Sequence, residues 1–187
     1  ENDFSRYPGL EQHTFRLKTF AECFRVRNHI IAMLELARIE KDPEERRRLL
    51  TFVIAGGNYA GVEVAAELSE YLPEVIKRDF SSLNVEECRL LLVHSGEHIL
   101  PELGQRFPRL VEYAEKRLGN RHLELRTGLR LKSATTEEAI LNNDEHIPTR
   151  TIISCTGSAL SPLLEQIDAK RDDRGRLETD KFLQVKG

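Results

Sequence analysis

TFVIAGGNYAGVEVAAEL, Thr51 to Leu68, is the stretch on which the reading of this chain turns. Thr51–Ala55 is a short apolar run of the kind that forms a strand buried on both faces. Gly56 and Gly57 then break the run. A helix is expected from about Ala60 to Leu72, stopped by Pro73. Its small residues Ala60, Gly61, Ala65 and Ala66 would let it lie close to a sheet.

Outward from this unit the hydrophobic periodicity alternates between helix and strand. Phe20, Phe24, Ile31 and Leu34 recur at helical spacing from about Phe20 to Arg38. Asp42-Pro43-Glu44-Glu45 has the form of an N-cap, a first-turn proline and two acids near the positive dipole end, opening a short helix to about Leu50. Residues 74–88 are polar, with only weak helical pattern. Arg89–Val93 is a second apolar strand, and Phe107, Leu110, Val111, Ala114 and Leu118 mark another helix ending near Gly119. The segment 122–126 alternates as a third strand. Short strands between Leu129 and Ile147, turning at Asn142-Asn143-Asp144, suggest an antiparallel meander. Thr151–Ser154 is a last buried strand, and Asp172-Asp173-Arg174-Gly175 a turn in the tail. Residues 1–18 are irregular. The order predicts an α/β fold: a Rossmann-like parallel sheet with helices on both faces and an antiparallel meander, flanked by connecting arms.

Ligands of such sheets sit at the carboxyl ends of the strands. That places Gly56–Gly61, Ser95 and Glu97 beyond His94, and Thr156 with Gly157 along one rim. Three tasks fall to the glycine loop of a dinucleotide site: a tight turn, close approach of backbone to pyrophosphate, and close helix–strand packing. Gly56 and Gly61 serve the first and third. Gly57, Tyr59 and Ala60 complete the loop, whose helix N-terminus offers unpaired N–H groups to an anion. Asn58 occupies the second position, where glycine is expected. Its side-chain oxygen could cap the Ala60 or Gly61 N–H and compete with the ligand, or its amide could donate to a phosphate. The reading favours weakened but real binding. His94 stands where an acid usually binds the ribose hydroxyls. It leaves the choice between NADH and NADPH open, or is simply a solvated histidine at a strand end. Glu63 either complements the helix dipole or lies near the nicotinamide. Cys155 has no basic partner nearby in sequence and is not read as a nucleophile.

Composition narrows the remaining classes. The chain has 187 residues, 40% hydrophobic and 32% charged, with a net charge of −3, which suits a globular domain. Arg46-Arg47-Arg48 follows Glu44-Glu45 and reads as a charge-paired helix face, so no nucleic-acid partner is expected. Three cysteines without a C-x-x-C pair suggest neither a redox pair nor a metal site, and fit a reducing, cytoplasmic setting. No apolar run is long enough to span a membrane.

FVIAGGNYAGVEVAAEL resembles the NADH-binding motif of type II NADH dehydrogenases, flavoproteins of the pyridine nucleotide-disulfide oxidoreductase group. HTFRLKTFAECFRVRNHIIAMLELA resembles the arm that precedes that motif, and DPEERRRLL the helix leading into it. LLVHSGEHILPEL resembles the second strand and the loop beyond it. IPTRTIISCTGSALSPLL and DRGRLETDKFLQVKG resemble the return to the flavin domain. The resemblance implies a connecting arm and helix at 1–48, an NAD(P)H-binding domain at 49–157, and an arm at 158–187 returning to an FAD domain outside this stretch. It implies an FAD-dependent oxidoreductase that passes electrons from NADH or NADPH through flavin to a quinone-type acceptor. This fragment alone would be inactive, with a membrane-peripheral parent on the cytoplasmic face. Gly56, Gly57 and Gly61 match the family's phosphate loop, Glu63 the acid near nicotinamide and flavin, and Gly157 the residue that leaves room for the nicotinamide. Asn58 and His94 depart from it. Those departures keep two alternatives open: a degenerate, non-catalytic scaffold, or a related flavoprotein reductase with another acceptor.

Overall fold

The computed structural model describes residues 8–119, 121, 123–156, 164, 166–173 and 175–185. Two compact units are present, one holding the described residues up to Thr156 and the other those from Leu164 onward. In the first, the order is α1 (Leu10–His13), α2 (Phe20–Ile39), α3 (Pro43–Leu49), β1 (Thr51–Ala55), α4 (Tyr59–Asp79), β2 (Arg89–His94), α5 (Pro101–Gly104), α6 (Pro108–Gly119), β3 (Leu123–Thr127), β4 (Leu131–Ala134), β5 (Glu138–Leu141), β6 (His146–Pro148) and β7 (Thr151–Ser154). Strands β3-β2-β1-β7 form a parallel sheet in that order, and β4-β5-β6 a separate antiparallel one. The mixed α/β architecture expected from the sequence is therefore present.

The twofold side-chain period divides the core. Phe52, Ile54, Leu90, Leu92, Leu123 and Ile153 pack on one face with Val26, Ile30 and Leu34 of α2, Ala65, Leu72 and Ile76 of α4, and Val111 and Leu118 of α6. Val53, Ala55, Leu91, Val93 and Ile152 face the other way, onto Leu131, Ala139, Leu141 and Ile147 of the meander. The expectation of helices on both faces is thus refined. α2, α4 and α6 cover one face; the meander covers the other, with Leu10 of the single-turn α1. A β-meander buries an apolar sheet face as well as a helix does, and Leu131, Ala139 and Ile147 supply the apolar positions.

Local signals explain most boundaries. Asp42 accepts from the Glu44 N–H and caps α3, with Pro43 at its start. Thr19 and Glu22 form a reciprocal capping box on α2. Asp144, at φ 61°, turns the chain between β5 and β6.

Pro73 does not stop α4, which runs to Asp79. The ring removes one N–H donor, but Leu72, Val75 and Ile76 are almost fully buried, and continuing the helix keeps them in the core. Tertiary burial outweighs the local penalty of roughly 3 kcal/mol. The irregular N-terminal stretch also contributes to the sheet. Phe15 donates to Ile152 O at 2.8 Å and accepts from Ser154 N at 2.8 Å, forming a parallel bridge beside β7.

In the second unit, Gly175 N donates to Asp172 O at 2.8 Å, closing the expected turn, and Arg171 bridges Leu177 antiparallel.

Candidate functional site

The carboxyl ends of β1, β2 and β7 meet at the glycine loop. Gly56 leaves β1 with φ 110°, a conformation that strains any side-chain-bearing residue. A Cβ there would stand 2.9 Å from the Cys155 backbone. A Cβ on Gly61 would overlap the Gly56 carbonyl oxygen, so Gly61 lets α4 start against the strand. The loop is tied to the sheet by Gly56 N to Val93 O at 2.8 Å and Cys155 N to Ala55 O at 2.8 Å.

Asn58 is the N-cap of α4. Its Oδ1 accepts from the Gly61 N–H at 3.0 Å. Its Nδ2 donates to the Cys155 carbonyl at 2.7 Å. Of the two orientations open from sequence, this is the capping one, with the amide turned to β7 instead of outward. Its φ of −78° needs no left-handed tolerance. What glycine would supply here is clearance, and Asn58 fills it.

His94 is not a solvated strand-end histidine. Its Nδ1 accepts from the Gly57 N–H at 3.2 Å, and its Nε2 is buried without a hydrogen-bond partner among the described residues. The ring lies against Gly57, where a Cβ would come within 2.8 Å of its Cγ. Burial pushes the His94 pKa down; the nearby His98 backbone, which falls short of hydrogen-bond geometry, and the Glu102 carboxylate oppose that shift. Beneath the loop, Leu100 N donates to Gly57 O at 2.6 Å, with Leu100 itself at φ 52°.

Two loop donors, those of Gly57 and Gly61, are therefore occupied by His94 and Asn58. The N–H groups of Asn58, Tyr59 and Ala60 find no acceptor among the described residues and stand at the positive end of the 21-residue α4. Three successive donors at a helix N-terminus can hold a phosphate oxygen.

The family described as pyridine nucleotide-disulphide oxidoreductase matches residues 1–186. This chain belongs to that family. A probable NADH dehydrogenase of Dictyostelium discoideum is 31% identical over 179 residues, which are 95% of this chain and 39% of the relative. The type II NADH:quinone oxidoreductase NdhA of Mycobacterium tuberculosis is 30% identical over 181 residues, 91% of this chain and 38% of that protein. The chain spans well under half the length of these curated relatives. The structure of NDH2 from Plasmodium falciparum in complex with NADH shares the fold, with a TM-score of 0.81 at 17% identity, covering 89% of this chain and 34% of that one. The likeness to type II NADH dehydrogenases read from the sequence is borne out at this level.

The remaining expected site residues fall as follows. Glu63 is exposed on α4 just past its first turn, too far along to be a first-turn dipole partner. Ser95 and Glu97 are exposed in the loop after β2, which is fastened by Gly128 N to Gly96 O at 2.9 Å and Ile99 N to Glu115 Oε1 at 3.2 Å. Thr156 is half-buried, its Oγ1 2.9 Å from Ser154 Oγ. Gly157 lies outside the described residues. The Cys155 thiol is pushed up to about 11 by burial, with Lys18 opposing, so it is a poor nucleophile. The sequence reading missed the Cys155 carbonyl, Ile99 and Leu100 as parts of the loop's support. Only the Leu100-Pro101 pair hinted at a turn; the Asn58–Cys155 contact spans 97 residues and left no local signal.

Proposed function

We propose that this chain is the NAD(P)H-binding part of an FAD-dependent dehydrogenase. It holds the pyrophosphate of a reduced nicotinamide dinucleotide at Gly56–Gly61 and presents the hydride donor to a flavin carried by another part of the same protein. A quinone-type acceptor, named in relatives such as the Mycobacterium tuberculosis NdhA, completes the reaction. The supporting observation is the loop itself: Gly56 at φ 110°, Gly61 beneath the Gly56 carbonyl, and three uncommitted N–H groups at the start of α4. Flavin supplies the redox chemistry when bound; this chain's residues bind, orient and exclude water. Asn58, Tyr59 and Ala60 would hold the pyrophosphate by their N–H groups. In this proposal Ser95 and Glu97 would serve the adenosine side, and Glu63 and Thr156 the nicotinamide side, a role the resemblance also gives to Gly157.

In this reading residues 1–48 are a connecting arm and helix, 49–157 the nucleotide domain, and 158–187 the arm returning to the flavin domain. The whole protein is peripheral to a membrane, on its cytoplasmic face; among the described residues no helix is long and apolar enough to cross one.

A second reading, a scaffold that has lost nucleotide binding, draws on the occupation of the Gly57 and Gly61 donors by His94 and Asn58. Calorimetric titration of the chain with NADH and NADPH separates the two. Saturable binding that a Gly61→Ala exchange abolishes supports the dinucleotide site. Absence of binding by wild type and by Asn58→Gly alike would establish the scaffold.

A further inference from the structure

The ring of His94 serves the glycine loop. Gly57 donates to Nδ1, so the Nδ1 lone pair is in use and the neutral ring carries its proton on Nε2. That nitrogen is buried and unpartnered among the described residues. The fit depends on two glycines: a Cβ at Gly57 would stand 2.8 Å from Cγ, and one at Gly96 2.8 Å from Nε2. While the ring is neutral, the Gly57 N–H is withheld from any ligand. A proton on Nδ1 would set two donors face to face, break this bond, and leave a positive charge beside the loop.

We propose that His94 is a proton-linked latch on the dinucleotide loop: binding a pyrophosphate-bearing dinucleotide is coupled to uptake of one proton by His94, which releases the Gly57 N–H to the ligand. This rests on the dinucleotide reading above. Among the described residues Glu102 on α5 is the charged side chain that acts on the ring. The glycine loop presents Gly57, and β3 pairs His94 with Thr127; neither titrates. His98, whose backbone lies near the ring, directs its own Nδ1 to Glu115 at 3.3 Å.

The sign follows from linkage. In the free protein burial holds His94 below its ordinary value, so the ring is neutral at neutral pH. An anion on the loop favours the charged ring and raises the bound-state value. Affinity then increases as pH falls between the bound-state and free-state values, by at most about tenfold per pH unit for one proton, and levels off below the free-state value.

The test is calorimetric titration with ADP-ribose, whose bridging pyrophosphate does not titrate between about pH 6 and about pH 8, in buffers of differing ionisation enthalpy. Wild type is expected to bind roughly tenfold tighter at the lower pH, with net proton uptake. His94→Ala and His94→Gln are both expected to lose the uptake and the slope. Long-range proton–nitrogen NMR of the free wild-type protein should show a bare Nδ1 and a protonated Nε2, and both protonated in the complex. Binding without a slope, or an equal slope in both variants, overturns the latch and leaves the site standing. No binding by wild type or either variant at any pH overturns the latch together with the dinucleotide reading.

Discussion

Replacing Asn58 by glycine restores the residue expected at the second motif position and removes two hydrogen bonds. The cap on Gly61 N, at 3.0 Å, is lost, but an Asn-to-Gly change at an N-cap costs only a few tenths of a kcal/mol. The bond from Nδ2 to Cys155 O, at 2.7 Å, is also lost, at about 1 kcal/mol. The sum is about 1–1.5 kcal/mol, or a fall of about 2–6 °C in Tm for a chain of this size. The freed Gly61 N–H can then bond a phosphate oxygen. A hydrogen bond to a charged group contributes about 1.5–3 kcal/mol, and fixing the added glycine offsets up to about 1 kcal/mol. A gain of about tenfold in affinity for NADH remains. Thermal unfolding and calorimetry on the same preparation measure both effects. Asn58→Ser separates the contributions: it keeps a capping oxygen but lacks the donor that reaches Cys155, so it should lose most of the stability with little gain in affinity. An unchanged Tm together with unchanged or weaker binding for Asn58→Gly would refute the reasoning, because neither hydrogen bond would then carry the effect assigned to it.

Other perturbations address the frame around the loop. Pro73→Ala should supply the missing donor inside α4 and stabilise the chain by about 1–3 kcal/mol, measured by urea unfolding; a loss of stability would show that the helix depends on the proline. Glu45 bonds Arg150 at 2.7 Å, and that contact, with Arg48 assisting against a burial penalty, holds its pKa below the ordinary value. A depressed carboxyl contributes stability above its unfolded-state pKa and loses it as pH falls through the folded value, so Glu45→Gln should cost about 0.5–1 kcal/mol at neutral pH and nothing in strong acid. A difference that persisted in acid would locate the effect in packing. Burial pushes Cys88 up to about 12 and Cys155 up to about 11, while Cys23 is exposed. Iodoacetamide at mildly alkaline pH should therefore label Cys23 first, as peptide mapping would show; early labelling of Cys155 would contradict its burial.

What could be read in advance divides by the range of the interaction. Thr51–Ala55 and Arg89–Val93 declare themselves because a strand buried on both faces must be continuously apolar, a local property. The start of α3 is equally local, since Asp42 and Pro43 act on the residues next to them. Pro73 misled the same kind of reading. Its penalty is visible in the sequence, but the burial of Val75 and Ile76 that outweighs it is a tertiary effect. The meander's place on the sheet was hidden for a similar reason. Alternation in Leu131–Ile147 identifies strands, yet nothing in it shows that they cover Val53 and Leu91 where helices were expected. Phe15 gave no sign at all, because a single bridge has no period.

The site obeys the same division, and this bears on how its departures are understood. Gly56 and Gly61 were legible because each is demanded by backbone sterics within the strand–turn–helix unit. Asn58 and His94 were legible only as exceptions; what they do depends on contacts with Cys155 and Gly57, far away in sequence. Those contacts argue against simple decay of the motif. A residue that merely replaced a lost glycine would have no reason to satisfy both ends of its amide. Asn58 caps α4 and fastens it to Cys155 at the end of β7, while His94 gives the Gly57 N–H an acceptor in a space that a Cβ at Gly57 or Gly96 would invade. Each occupies a donor that a pyrophosphate could use, and both do so with neutral groups that a ligand can displace. The Gly57 and Gly61 donors are thus satisfied without an anion, while those of Asn58, Tyr59 and Ala60 stand open. In the proposed dinucleotide site a ligand can bond the open donors at once but must exchange an internal hydrogen bond to recruit Gly57 or Gly61, which lowers affinity while keeping the loop geometry that binding needs.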